Sequence, residues 1–209
     1  MHDTLEKVLY CGGQCQPTGS IAVCGSDGEK CGLCPLAHFY TAAGRAVPTV
    51  WEIAEEEIPQ PYRQLLVHGR DMTSTLERFH GARTHLRVLR AGTHNSVYER
   101  EVVLALDGSD KPVEFGALTV HLDLLPADVQ AIIIAGQRPF GGVLVNHGVK
   151  FSSHPKAFIR VMPDAVIGQA LGLDAGPASR SAMVLYGRCN ALYDEREHVL
   201  ADIVEILPP

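Results

Sequence analysis

The sequence predicts an α+β fold built on a single, mainly antiparallel sheet with flanking helices. Three observations carry this. Two strand-like segments, Val97–Leu106 and Val113–Leu122, flank the turn-forming run Leu106-Asp-Gly-Ser-Asp-Lys-Pro112, the signature of a hairpin. A second strand pair, Ala182–Tyr193 and Val199–Leu207, closes the chain. Helix-like segments are grouped between these hairpins, an arrangement typical of α+β proteins with antiparallel sheets.

The elements follow in order. Residues 1–48 are rich in Gly, Cys and small polar residues and show no sustained period, so they read as a Cys/Gly-rich N-terminal appendage to a domain spanning 49–209. Helix-like apolar spacing is expected over Trp51–Ile58 and Tyr62–Val67. Asp71 is placed to cap a helix over Met72–Phe79, in which Met72, Leu76 and Phe79 recur at i, i+4, i+7. Thr84–Leu89 reads as a strand, as do the two hairpin segments after it. Leu125-Pro-Ala-Asp opens a helix that runs to about Ala135. Phe140–Val145 fits strand or helix. Ala157–Met162 reads as a strand and Pro163–Leu171 as a short helix.

Composition narrows the function classes. At 209 residues, 46% hydrophobic and 20% charged, the chain suits one globular domain, or one with an appendage. A formal net charge of −6 gives no encouragement to a nucleic-acid or anionic-membrane partner. No apolar run approaches the roughly 18 residues that span a bilayer, and the first residues lack the basic and apolar regions of a secretory signal. The expectation is a cytoplasmic protein.

Alternation along the strands isolates two ionisable groups. In Leu200–Leu207, side chains of Ala201, Ile203, Glu205 and Leu207 share one face, while Asp202 lies on the other, open to solvent. A carboxylate on an apolar face is costly unless paired, hydrogen-bonded or used. In Val97–Leu106, Arg100 shares a face with Tyr98, Val102, Leu104 and Leu106; Glu99 and Glu101 fall on the opposite face. The face without carboxylates is the expected core face. Two strands thus each carry one ionisable group among apolar neighbours, with opposite charges. Either Arg100 and Glu205 form a buried pair that serves the fold, or they line a cavity. In that cavity Arg100 would bind a ligand carboxylate and Glu205 a different polar group. Direct contact would mark the first arrangement. A gap the width of an aromatic ring, the one expected, would mark the second.

Several motifs resemble one family. Arg100-Glu-Val-Val-Leu-Ala-Leu-Asp-Gly108, Gln137-Arg-Pro-Phe-Gly-Gly-Val-Leu144, Leu185-Tyr-Gly-Arg-Cys-Asn190 and Ile203-Val-Glu-Ile-Leu-Pro208 come in the order and approximate spacing of chorismate lyase-like proteins. Asp71-Met-Thr-Ser-Thr-Leu-Glu-Arg-Phe79 resembles that family's Asp-Ser-Met-Thr-x-x-Phe helix start, so the resemblance covers about residues 60–208. It implies one antiparallel sheet with flanking helices around an internal cavity. It also implies elimination of pyruvate from chorismate, or a related cyclic enolpyruvyl carboxylate, to give a hydroxybenzoate without a catalytic cofactor. By resemblance, Arg100 binds the ring carboxylate and Glu205 faces the ring hydroxyl, the two catalytic positions. Met72 helps hold the ligand through its backbone, and Phe140 lines the cavity where the family has leucine. A second family arginine is missing from Phe115-Gly-Ala-Leu118, and Arg160 or Arg188 would take its work. The alternative is a non-catalytic aromatic-acid binding module, because sensor domains of bacterial transcription regulators resemble the same fold. Those sensors normally follow a DNA-binding helix-turn-helix. The first 48 residues, short and weakly periodic, do not resemble one, which favours the enzyme.

Five of the six cysteines lie between Cys11 and Cys34. Cys11, Cys15, Cys31 and Cys34, with Cys24 as substitute, would supply the thiolates of a structural zinc site. A disulfide or unligated segment, an iron–sulfur cluster and a redox pair are the other readings. The ten histidines form no HExxH-type spacing; His147 and His154 sit near the expected cavity mouth.

Overall fold

A computed structural model of the chain describes residues 33–173 and 183–209. Within them are helix α1 (Cys34–Ala42), strand β1 (Val50–Ile53), helices α2 (Tyr62–Leu66) and α3 (Met72–His80), and strands β2 (Thr84–His94), β3 (Val97–Leu106) and β4 (Pro112–His121). Then come α4 (Ala127–Ile134), α5 (Phe140–Asn146), β5 (Ser152–Val161), α6 (Ala165–Ala170), β6 (Leu185–Tyr193) and β7 (Val199–Leu207). The seven strands make one sheet in the order β1-β5-β6-β7-β4-β3-β2, every neighbouring pair antiparallel. The fold is α+β, as the sequence predicts, and both expected hairpins are present. No helix among the described residues is long and apolar enough to cross a membrane.

The local signals explain most elements. Asp71 caps α3 by accepting a hydrogen bond from the Ser74 amide at 2.8 Å, and Gly81 ends it in the left-handed conformation. The ambiguous segment at Phe140 is a helix; Pro139 stands at its N-cap and pre-sets its first turn.

Two expectations are corrected. Trp51–Ile58 is not a helix: Val50–Ile53 is an edge strand pairing Val50 with Val161 and Ile53 with Phe158, and a short 3-10 turn follows over Glu55–Glu57. Val50, Trp51 and Ile53 suit a strand, and the open edge of β5 decides between the two periods. The stretch before residue 48 also holds a helix. In α1, Leu36 and Tyr40 are buried against Val103, Phe115, Ala117, Val204 and Ile206 of the sheet. Cys34 is buried at the head of α1, whereas Cys11, Cys15, Cys24 and Cys31 lie outside the described residues. Among the described residues no group of three or more His, Cys, Asp or Glu is placed to hold a metal.

Both faces of the sheet are covered, so alternation does not separate core from solvent. One face packs on α1 and α6. The other packs on α4 and α5 at one end, through Tyr98, Leu118, Val120 and Ala201, and on α2 and α3 at the other, through Leu104 and Leu207. Asp202 and Glu101, on the α1 face, are therefore buried. Asp202 does not open to solvent but meets Lys156 Nζ at 2.7 Å, and Glu101 has Arg90 Nε 3.6 Å away. The β2–β3 ladder shifts register between Val88 and Arg90, where Leu89 is an extra residue forming a β-bulge. The gap between the α2–α3 and α4–α5 groups is where the site lies.

Candidate functional site

Strand pairing sets the floor of this gap. Arg100 lies opposite Leu118, which lies opposite Ile203, which lies opposite Asn190. The next row is Val102, Gly116, Glu205 and Arg188; beyond it Leu104 faces Glu114. The roof comes from the N-terminal ends of α3 and α5, with Met72 and Phe140. Gly141 approaches Asp71 so closely that an added Cβ would stand 3.0 Å from the Asp71 Cβ. Together these residues line a partly open cavity. Arg100, Met72, Phe140, Arg188 and Glu205, the five cavity residues singled out from sequence, all line it. Arg160 does not; its guanidinium stacks over the Trp51 ring, 4.9 Å from the centroid.

Glu205 is not left to a ligand, as the cavity reading expected. Arg100 and Glu205 do not meet, being two strands and two residues apart. Glu205 accepts a short hydrogen bond from Arg188 Nε on the adjoining strand, and both side chains are buried. The rest of the Arg188 guanidinium is also committed. Nη1 donates to the carbonyls of Leu66 at 3.1 Å and His68 at 2.9 Å, and Nη2 reaches Arg70 O at 3.4 Å. Arg188 thus clasps the α2–α3 connection onto the sheet. His68 in that connection has Nε2 2.8 Å from Leu65 O and accepts the Arg70 amide through Nδ1 at 3.2 Å, the pattern of a neutral ring. Burial, with the Arg188 charge beside it, lowers its pKa.

Two groups in the cavity remain incompletely partnered. Arg100 is 1% exposed; Nη2 donates to Arg138 O at 3.2 Å, but Nε and Nη1 have no hydrogen-bond partner. Burial pulls its pKa down, opposed by Tyr98. Glu114, 5% exposed, has Oε2 without a partner. Burial and the nearby Glu205 carboxylate hold its carboxyl well above the usual range, against the pull of Arg188. Glu114 was not singled out from sequence, although alternation places it with Gly116, Leu118 and Val120, the same signal that exposed Glu205.

The chain matches no protein-family model, and no curated protein matches it in sequence. Solved structures do match. PhnF from Mycobacterium smegmatis superposes with a TM-score of 0.51 at 13% identity, over 68% of this chain and 64% of PhnF. The chain therefore matches less than two thirds of that protein's length. What they share is the fold. The separately solved effector domain of PhnF gives 0.49 at 12% identity, over 66% of this chain and 88% of the domain. The ligand-binding domain of a putative GntR-family transcriptional regulator from Bordetella bronchiseptica gives 0.43 at 12%, over 60% and 85%.

These findings correct the expectation of an enzyme, and with it pyruvate elimination from chorismate to a hydroxybenzoate. One matching solved structure is PhnF, which is not named as a lyase. The carboxylate expected to face a substrate hydroxyl has one oxygen held by Arg188.

Proposed function

We propose that the chain is a non-catalytic module that binds a small organic anion, an aromatic or cyclic carboxylic acid. The observation that carries this is Arg100, a buried guanidinium lining a cavity with two nitrogens lacking partners. Arg138 O and the Tyr98 ring, 5.9 Å from Cζ, compensate this charge only in part, and a buried charge short of partners costs stability in a fold that does not use it. A ligand carboxylate supplies an acceptor of the kind these charged N–H groups lack. The apolar lining, Met72, Leu118 and Phe140 among it, suits a ring. The likeness in fold to effector and ligand-binding domains supports binding over turnover.

Calorimetric titration with benzoate tests the proposal. Saturable binding is expected, and Arg100→Met should weaken it roughly tenfold or more, since hydrogen bonds to charged groups contribute about 1.5–3 kcal/mol. Absence of saturable binding to benzoate and to cyclohexanecarboxylate overturns it, as does an Arg100→Met protein of unchanged affinity.

A further inference from the structure

We infer that Glu114, rather than Glu205, reads the far end of the ligand, so that the cavity selects acids carrying a hydrogen-bond donor about one ring away from the anionic group. This rests on the anion-receptor reading of Arg100 and specifies what that receptor prefers.

Several polar groups around the cavity already have partners. Glu205 Oε2 is bound by Arg188, whose Nε and Nη1 are engaged by Glu205 and the Leu66 and His68 carbonyls and whose Nη2 reaches Arg70 O. Asn190 exchanges hydrogen bonds with Ser153, through Nδ2 to Oγ at 3.0 Å and from Oγ to Oδ1 at 3.3 Å. Asp71 accepts the Ser74 amide at 2.8 Å. Among the described residues, the fully buried side-chain atoms of the lining without a partner are Arg100 Nε and Nη1 at one end and Glu114 Oε2 at the other.

Their separation follows from the register. Arg100 faces Leu118 and Glu114 faces Leu104, four residues along the same ladder. At about 3.4 Å per residue, their backbones stand roughly 14 Å apart along the strands. Both side chains line the cavity, which leaves between them a span suited to one ring. The floor at the midpoint is Val102 and Gly116, and it is tight: a Cβ at Gly116 would lie 3.0 Å from Glu114 Oε1 and 3.2 Å from Val102 Cγ2. The missing side chain keeps the slot open and the Glu114 carboxyl in place.

Glu114 accepts a hydrogen bond whether ionised or protonated, because one carboxyl oxygen is always an acceptor. A hydroxyl, amide or ammonium hydrogen on the ligand satisfies it. An apolar end leaves it orphaned and a second carboxylate meets two acidic side chains. A site built to hydrogen-bond its ligand rejects analogues that lack the bonding group, because its own buried polar atom is then left unpaired.

The test compares 4-(hydroxymethyl)benzoate with 4-methylbenzoate, two acids of similar shape that differ in the donor, by calorimetry on the described protein. The wild type is expected to prefer the hydroxymethyl acid by at least tenfold. Glu114→Met should reduce the preference to threefold or less by tightening 4-methylbenzoate and weakening its partner; Glu114→Gln keeps an acceptor and should keep the preference. Carbon-13-edited infrared spectra of the wild type give a check that needs no variant: the glutamate carboxyl bands should differ between the two complexes. Equal affinities in the wild type, identical carboxyl bands, or a preference that survives Glu114→Met overturns the assignment. If instead both acids bind but Arg100→Met weakens neither, the anion-receptor reading fails while the Glu114 preference stands on its own data.

Discussion

Glu114 and Glu205 sit on one face of adjacent strands, their rows two residues apart, yet they have different fates. Arg188 reaches Glu205 from the next strand, and among the described residues Glu114 Oε2 has no hydrogen-bond partner. The difference is testable through stability. An unfolded glutamate titrates near pH 4.3, whereas burial holds Glu114 well above that. The folded protein then binds more protons above that pH, so the favourable contribution is complete below the unfolded pKa and lost as pH rises through the folded one. Glu114→Gln removes the titration. It should stabilise the protein by on the order of 1 kcal/mol at pH 8 and by less at pH 5, measured by urea unfolding at both. A gain independent of pH would contradict the raised pKa. The single-residue signals were partly legible in sequence: alternation marked Arg100 and Glu205 as ionisable groups on an apolar face. Which cation meets Glu205 was not legible: the closing hairpin puts β6 beside β7, but the register that sets Arg188 opposite Glu205 and the place of β3 two strands away come only with the structure.

At the scale of elements, the α2–α3 connection is held by one side chain. Arg188 takes the Leu66, His68 and Arg70 carbonyls, and a neutral His68 fits under it. The lowered pKa of His68 sets a sign opposite to that of Glu114. Below about pH 6.5, the ordinary histidine value, the unfolded segment binds the extra proton, so stability present above that pH is lost as pH falls through the folded pKa. Amide exchange over residues 66–70, corrected for intrinsic rate, should lose roughly three- to tenfold of its protection between pH 7.5 and 5.5. His68→Gln should flatten that dependence. Elements with strong local signals were legible: β3 was placed at its observed ends, and the Asp71 cap fixed α3. Trp51–Ile58 was misread because four residues of strand gain their identity from β5, a partner about 110 residues away in sequence whose claim no local window contains.

For the molecule as a whole, α1 belongs to the packed body. Leu36 is fully buried in the cluster formed by both central strands and α6. Leu36→Ala should cost about 2–5 kcal/mol, the range for a large-to-small change in a core. Chemical denaturation would show it as a shift of the whole transition; a loss confined to α1 would mean that the helix is merely attached. Sequence placed this stretch in an appendage because nine residues with glycines and cysteines before them carry little periodicity. The sheet they cover became visible only once both of its faces were known to be apolar.

The extra residue Leu89 sorts charge. With it, Arg90 lies opposite Glu101 on the α1 face and Ala91 lies opposite Arg100 on the cavity face. Were the ladder uninterrupted past Val88 and Val102, Arg90 would fall directly across from Arg100 and Glu101 would lose its cation. Two guanidiniums would then stand about 5 Å apart at their Cβ atoms, a destabilising like-charge pair. One inserted residue in an edge strand thereby decides on which side of the sheet each arginine acts, and leaves a single positive charge at that end of the cavity.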